Sequence, residues 1–356
     1  MDEETIGLKA LDRLRTFLEQ EKVDGIFIKG DSSIRYFTGF TGGESLLYVD
    51  PRRAVIITDS RYTLQVRQQS PECELIEHQH GFWPEAAKLP NSENLALDGD
   101  YFSYTEQCAL AKALPDVRWK NVNLVGLRAV KTPEEMTLIR KAVAISDEAF
   151  LQLLPHIRAG RKESDLAAEL EYNMRKLGST KPSFETICAS GKRSALPHGV
   201  ASEKVVEPGD FITFDFGATY EGYCSDITRT VVVGKAAPWQ KEIYGIVLEA
   251  NLLGEKTLKA GLTGIQVDRA VRDFITAKGY GPNFGHGLGH GVGLDIHEKP
   301  VLNKANDRPL PAGAVVTIEP GIYLPDQGGV RIEDTVLVTG DGCERLTSVP
   351  KELVEL

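Results

Sequence analysis

The sequence FITFDFGATYEGYCSDITRT, residues 211–230, has the alternation typical of two β-strands joined by a turn. Successive side chains of a strand point to opposite faces, so Ile212, Phe214 and Phe216 share one apolar face. Asp215 lies on the other face, away from the core against which the apolar face packs. The first strand therefore packs one face on the core and presents the Asp215 carboxylate on the opposite face.

The second strand of this pair runs from Asp226 through Val233, after a Gly222-Tyr223 segment that can turn the chain back. Antiparallel pairing would bring Asp226 close to Asp215. Neighbouring carboxylates repel each other, and a bound cation relieves that repulsion. Either aspartate alone is more typical of a turn or a surface ion pair, but the two together on an apolar hairpin predict a metal site.

Three more candidate ligands lie downstream, each in a short motif: His290 in GHGLGHGVG, Glu319 in TIEPG and Glu333 in VRIEDT. The alternate glycines of the first motif argue against a helix and allow the backbone to approach a ligand or a strand closely. Its other histidine, His286, is interpreted as a hydrogen-bonded core residue. Four carboxylates around one imidazole suit hard or borderline ions such as Mn²⁺ or Co²⁺ and would largely neutralise two divalent cations.

Composition narrows the class of protein. The 356 residues suffice for two domains, and the formal charge of −10 argues against a general basic surface for nucleic acid. No apolar stretch approaches the length of a membrane span, and the acidic N-terminus does not resemble a secretory signal. The five cysteines are scattered, without a Cys-x-x-Cys pair, which predicts a reduced, cytoplasmic chain.

Two domains are predicted, at residues 1–127 and 128–356. The first alternates amphipathic and apolar segments, as an α/β domain does. The second begins near Thr132, where a capping residue, a proline and a capping-box glutamate predict a helix through about His156. Further helices are predicted at 163–177, 239–259 and 265–278. Because most candidate ligands fall on β structure between and after these helices, the fold class is predicted as α+β.

Taken together, these motifs resemble those of the metallopeptidase family that comprises aminopeptidase P and prolidase. The match extends from about Thr132 to the end of the sequence, and SIRYFTGFTG at 33–42 and TDSRY at 58–62 resemble the creatinase-like N-terminal domain of the same family. The resemblance implies a C-terminal pita-bread domain (creatinase/aminopeptidase type) preceded by a smaller α/β creatinase-like domain.

The resemblance also implies a role for each ligand. Asp215 would bind one metal ion and His290 with Glu319 the other, while Asp226 and Glu333 would bridge both. The ions would be Mn²⁺, with Co²⁺ or Zn²⁺ as alternatives.

Three further residues correspond to functional positions of the family: His198 in LPHG, His297 in DIHE and Arg331 in VRIED. The two histidines resemble those that contact the substrate around the scissile carbonyl, and Arg331 could orient Glu333, two residues away on the same strand face. Glu319 is the candidate proton shuttle. The implied activity is hydrolysis of the Xaa-Pro bond at the N-terminus of dipeptides or short peptides, by a homodimer.

Alternatives remain at this point. A non-catalytic pita-bread protein that binds a peptide or partner would be expected to have lost ligands, and methionine aminopeptidase, which shares the five-ligand pattern, usually lacks the N-terminal domain. Many prolidase-like members have Pro-Arg after the His-Glu pair, whereas here Pro300 is followed by Val301. Dipeptidase and aminopeptidase preference therefore stay open.

Overall fold

The computed structural model describes residues 3–356, with side chains from Ala10 onward. The chain divides into two compact units, Met1–Arg128 and Ala129–Leu356. Among the described residues, no helix combines the length and the apolar character that crossing a membrane requires.

The N-terminal unit is a six-stranded mixed sheet with helices, the α/β class that the sequence predicts. The strand order is β4-β3-β2-β1-β5-β6, in which β1 pairs antiparallel with β2 and parallel with β5. In chain order, the elements are α1 (Glu3–Glu21), β1 (Gly25–Ile28), α2 (Asp31–Thr38), β2 (Leu46–Val49), β3 (Ala54–Thr58), α3 (Thr63–Gln69), β4 (Glu74–Glu77), α4 (Trp83–Ala86), β5 (Asn94–Asp98), α5 (Tyr104–Ala113) and β6 (Arg118–Val122).

The C-terminal unit combines two helix pairs with several small antiparallel sheets. Its elements are α6 (Pro133–Leu153), α7 (Glu163–Lys176), β7 (Lys181–Pro182), β8 (Ile187–Ser190), β9 (Phe211–Phe216), β10 (Ala218–Tyr220), β11 (Tyr223–Cys224), β12 (Ile227–Val232), α8 (Pro238–Thr257), α9 (Gly264–Ala277), β13 (Gly289–Gly291), β14 (Glu298–Leu302), β15 (Val315–Ile318), β16 (Gly321–Leu324), β17 (Gly328–Arg331), β18 (Asp334–Val338) and β19 (Cys343–Arg345). The sheets are β12-β9-β8, β11-β10-β7, β14-β13-β15-β18-β19 and β16-β17.

The predicted start of α6 is confirmed. The Thr132 side chain accepts a hydrogen bond from the Glu135 amide, the Glu135 side chain returns the bond to the Thr132 amide, and Pro133 is the first helical residue. The helix ends at Leu153, and a 3-10 turn continues through His156. The other three predicted helices correspond to α7, α8 and α9.

The predicted pairing of the two aspartate-bearing segments is confirmed as well. Strands β9 and β12 run antiparallel, with Thr228 opposite Asp215. The chain turns back at Glu221 and Gly222, whose φ angles are 43° and 74°. This turn belongs to an additional short hairpin, β10 with β11, which the sequence analysis did not predict because strands of two or three residues are too short to show alternation.

Strand β9 is held by aromatic packing on both faces. The Phe150 ring of α6 lies 5.5 Å from the ring of Phe214 and 5.3 Å from that of Phe216, on the face predicted to be apolar. On the opposite face, the Phe211 ring lies 5.7 Å from that of Trp239 in α8. Burial of each phenyl group stabilises the unit by about 1.5–3 kcal/mol. This packing fixes the strand that presents Asp215.

Candidate metal centre

The eight side chains that the sequence predicts for the site line one cavity of about 580 Å³ in the C-terminal unit. Apolar side chains share its wall with them. The predicted site residues are His198, Asp215, Asp226, His290, His297, Glu319, Arg331 and Glu333, and the apolar ones are Phe184, Ile187, Val200, Ile296 and Val301.

His290 lies at the middle of the cluster. One ligand atom from each of Asp226, His290 and Glu333 lies within 4.8 Å of the others. The Nε2 atom of His290 is 3.4 Å from Asp226 Oδ2 and 3.4 Å from Glu319 Oε1. Its Nδ1 atom lies 3.1 Å from the carbonyl oxygen of Gly291, so a proton on Nδ1 leaves Nε2 free to act as a ligand.

The glycines around His290 allow two strands to approach closely, as the alternation predicts. A Cβ atom on Gly289 would lie 2.0 Å from the carbonyl oxygen of Thr317, so β13 can lie this close to the Thr317 backbone only with glycine at that position. The Thr317 hydroxyl accepts a hydrogen bond from the His290 amide at 3.1 Å and donates one to Glu319 Oε1 at 3.2 Å. One threonine therefore positions two candidate ligands.

Arg331 binds Asp215 directly. Its Nη2 atom donates to Asp215 Oδ2 at 2.6 Å, and Nη1 donates to the Tyr323 hydroxyl at 2.7 Å and to the Pro197 carbonyl at 3.2 Å. Pro197, Asp215 and Arg331 line the cavity, and the arginine side chain is almost wholly buried. The guanidinium therefore fixes both the carboxylate and the backbone next to His198.

Arg331 does not hydrogen-bond Glu333 directly, although the sequence analysis expected it to orient this carboxylate. Arg331 ends β17, and Glu333 lies just before β18, so the two residues do not share one regular strand face. Instead, the Thr228 hydroxyl donates to Glu333 Oε2 at 2.6 Å and accepts from Arg331 Nε at 3.0 Å. The arginine acts on Glu333 through this threonine.

Burial and mutual repulsion disfavour ionisation of the clustered carboxyls. Burial, and then the charge of Glu333, raises the pKa of Asp226 well above its usual range. The pKa of Glu333 is likewise raised by burial and by the charge of Glu319. Burial raises the pKa of Glu319 to about 8, although Arg331 acts in the opposite direction. Bound divalent cations would offset the free-energy cost of ionising these buried carboxyl groups.

Two orphaned oxygen atoms show that these residues fit metal ions. Asp215 Oδ1 and Asp226 Oδ1 are buried and have no hydrogen-bond partner in the described part of the chain. A buried carboxylate oxygen without a partner is costly, and coordination of a cation removes the cost. Four carboxylates with one imidazole also differ from the Cys- and His-rich sets of closed structural zinc sites.

The three histidines near the centre have different surroundings. The His297 ring packs edge-on against that of His290, with centroids 4.3 Å apart, and His198 is exposed on a loop between β8 and β9. His286 Nε2 is 2.9 Å from the Tyr323 hydroxyl, and burial lowers the pKa of this histidine to about 4. His286 is therefore a hydrogen-bonded, mostly buried residue, as interpreted from the sequence, although it also lines the cavity.

The sequence analysis missed three residues that hold candidate site residues: Thr228, Thr317 and Tyr323. A signal existed for two of them, because Thr317 lies two residues before Glu319 and Thr228 lies two residues after Asp226. Nothing in the sequence singles out Tyr323, which meets Arg331 only through the pairing of β16 with β17.

An α+β unit in which four carboxylates and a histidine converge on an open cavity, beside two further histidines, defines a metal-dependent hydrolase. The description "Metallopeptidase family M24" matches residues 137–340, and "Creatinase/Prolidase N-terminal domain" matches residues 11–130. The chain belongs to metallopeptidase family M24 and has the pita-bread fold and the creatinase-type N-terminal domain that the sequence predicts.

Three relatives show how far the similarity extends. The solved structure of Xaa-Pro dipeptidase from Bacillus anthracis is 46% identical, with a TM-score of 0.94, covering 98% of this chain and 100% of that one. X-Pro aminopeptidase from Thermotoga maritima MSB8 is 42% identical, with a TM-score of 0.92 and coverage of 97% and 99%. Xaa-Pro dipeptidase from Pyrococcus furiosus is 40% identical over 97% of this chain and 99% of its own.

Proposed function

We propose that this metallopeptidase hydrolyses the bond between an N-terminal residue and a following proline in dipeptides or short peptides. The convergence of five ligand side chains with His198 and His297 in one cavity carries the proposal. The names of the relatives, which specify Xaa-Pro or X-Pro peptides, support the proline preference.

The proposed ligands are Asp215, Asp226, His290, Glu319 and Glu333, which together would hold two divalent ions. When bound, such ions polarise a scissile carbonyl and lower the pKa of the attacking water. The excess of carboxylate oxygen over imidazole nitrogen favours Mn²⁺, with Co²⁺ and Zn²⁺ as alternatives.

Glu319 is the proposed proton shuttle. Its Oε1 atom faces His290 and accepts from Thr317, which leaves Oε2 to take a proton from the attacking water and deliver it to the proline nitrogen. Bound cations would favour the ionised form of the Glu319 carboxyl, which is the form that can accept the proton of the attacking water.

His198 and His297 would position the substrate and stabilise the negative charge that develops on its carbonyl oxygen. The apolar side chains of the wall, including Ile187 and Val200, suit the pyrrolidine ring. An Xaa-Pro bond has no N–H, so burying it against apolar atoms leaves no donor unpaired, whereas an ordinary peptide N–H would lose its hydrogen bond there.

The test compares matched peptides that differ only in proline. Purified protein is stripped with a chelator, reloaded with Mn²⁺ or Co²⁺, and assayed on Xaa-Pro and Xaa-Ala dipeptides and on Xaa-Pro-Yaa and Xaa-Ala-Yaa tripeptides. We expect metal-dependent release of the N-terminal residue from the proline peptides. Equal cleavage of the alanine peptides would contradict the proline preference, and cleavage by fully metal-free protein would contradict the mechanism. The ratio of dipeptide to tripeptide rates decides the preferred length.

Two properties of the protein in solution belong to the same proposal. The family resemblance supports a homodimer, which light scattering on the purified protein measures. All five cysteines are free thiols, which supports a reducing, cytoplasmic location.

A further inference from the structure

We propose that Glu163 and Arg193, neither of which lines the cavity, form the device that positions His198. The inference rests on the proposed contact between His198 and the substrate. It adds two positioning residues to the proposed site, and both act on His198 through the backbone of its loop.

His198 depends on its backbone for its location. Its side chain is exposed and makes no hydrogen bond within residues 10–356, for which the structure describes side chains. The loop that carries it leaves β8 through a 3-10 turn at Gly191–Ala195 and returns to β8 in a bridge between Val200 and Ile187. An imidazole without a partner of its own can be held in place only by what holds this loop.

Glu163 holds both ends of the loop with one carboxylate. Its Oε1 atom accepts from the amide and hydroxyl of Ser190 at 2.6 and 2.8 Å. Its Oε2 atom accepts from the amide and hydroxyl of Ser202 at 3.1 and 2.6 Å, and from Arg193 Nη1. The side chain is fully buried at the first residue of α7, where the helix dipole also favours a negative charge.

Arg193 extends this anchor to the residues next to His198. While Nη1 binds Glu163, Nη2 donates to the carbonyl oxygen of Val200 at 2.8 Å. On the other side of the histidine, the Pro197 carbonyl accepts from Arg331. The backbone on either side of His198 is therefore held by two guanidinium groups, one that binds the metal centre through Asp215 and one that binds Glu163.

A shift of about 1 Å in a positioned group can cost about a hundredfold in rate. We therefore expect Arg193→Ala to lower kcat/KM on an Xaa-Pro peptide about 10- to 100-fold, with metal content unchanged because all five ligands remain. Arg193→Lys keeps the charge beside Glu163 but cannot donate to Glu163 and Val200 in the same planar geometry, so its loss should be intermediate.

The experiment is a double-mutant cycle on the full chain loaded with Mn²⁺: the parent protein, Arg193→Ala, His198→Ala and the double variant, assayed at high protein concentration. The matched control is Arg161→Ala, which removes the arginine of another pair with α7, that with Glu169. Arg161 is 21% exposed, similar to Arg193 at 29%, and neither Arg161 nor Glu169 lines the cavity. We expect the control to retain kcat/KM within about twofold. We also expect the double variant to lose no more than His198→Ala alone, because Arg193 acts through His198.

Losses that multiply in the double variant would overturn the positioning role while leaving the proposed function intact. A parental rate for His198→Ala would overturn both the role of His198 in the proposed function and this inference. If Arg193→Ala does not fold, Arg193→Lys and Ser202→Ala replace it in the same cycle. Parental rates for both replacements would overturn the inference.

Discussion

Glu333 and Asp334 are adjacent in the chain and equally buried, at 1% and 0% exposure, yet their carboxyl groups behave in opposite ways. Burial and the neighbouring Glu319 raise the pKa of Glu333. Burial also acts to raise the pKa of Asp334, but Arg229 and Lys351 outweigh it and lower that pKa to about 2. Because both residues are buried, the charges of their neighbours account for the opposite directions of the two pKa shifts.

The contacts explain the contrast. Asp334 Oδ1 accepts from Arg229 Nη2 at 2.8 Å and from Thr347 at 2.5 Å, and Asp334 Oδ2 is 2.9 Å from Lys351 Nζ. The Glu333 carboxylate faces other carboxylates, and its hydrogen bond from Thr228 links it to the Arg331 guanidinium. The Asp334 carboxylate therefore has its counter-ions within the chain, whereas that of the proposed ligand Glu333 would obtain its counter-ion from a bound cation.

The largest effect should come from Glu333→Gln. Removing one ligand charge should lower kcat/KM about a thousandfold, the scale expected when a principal electrostatic group is lost. The midpoint of thermal unfolding of the metal-free protein should hold or rise, because one repelling carboxylate is gone. Peptide assays and calorimetry of metal-free protein measure the two quantities. If Glu333→Gln is active, or if its metal-free form is strongly destabilised, Glu333 does not differ from Asp334 in the way described.

Asp334→Asn should show the opposite pattern. The change leaves Arg229 and Lys351 buried without their shared counter-ion, so the free energy of unfolding should fall by about 3–5 kcal/mol. Denaturant titration measures this, and the protein that remains folded should keep its turnover per bound metal. An unchanged free energy of unfolding would show that the ion pairs of Asp334 with Arg229 and Lys351 contribute nothing to stability.

The pH dependence of stability should separate the two kinds of carboxyl. The pKa of Glu319 is raised from 4.5 to about 8, so between these values the folded metal-free protein binds more protons than the unfolded chain. Its free energy of unfolding should therefore fall as pH rises through this window, by up to about 1.4 kcal/mol per pH unit. Added Mn²⁺ should flatten the slope. Asp334 acts in reverse: its stabilisation is present above pH 3.8 and is lost as pH falls toward about 2.

The smallest effect should come from an exposed pair. Arg140 and Glu344 form two hydrogen bonds of 2.8 Å, with side chains 45% and 49% exposed. Arg140→Ala should change the free energy of unfolding by less than about 1 kcal/mol, because solvent screens the pair. A loss comparable to that of Asp334→Asn in the same denaturant titration would show that burial does not set the strength of these pairs.

That the candidate ligands line one cavity could be predicted from the sequence, because each lies in a local motif whose alternation or glycine content is visible within a few residues. The antiparallel pairing of the two aspartate-bearing segments followed from strand alternation and the turn between them. The groups that hold these side chains could not be predicted in the same way. Thr228 meets Glu333 only after distant segments pair, and Tyr323 meets Arg331 only in the particular register that β16 and β17 adopt. For the same reason, the partner of Arg331 proved to be Asp215 rather than Glu333.

One guanidinium group, that of Arg331, donates both to Asp215 in the metal cluster and to the Pro197 carbonyl next to His198. Any displacement of Asp215 on loading with cations therefore reaches the loop that would receive the peptide. The two binding equilibria should be linked, and linkage is reciprocal: if the peptide tightens cation binding, cations tighten peptide binding by the same factor. Titration of Mn²⁺ with and without a non-cleavable peptide measures this factor, and a factor of one would show that Arg331 transmits nothing.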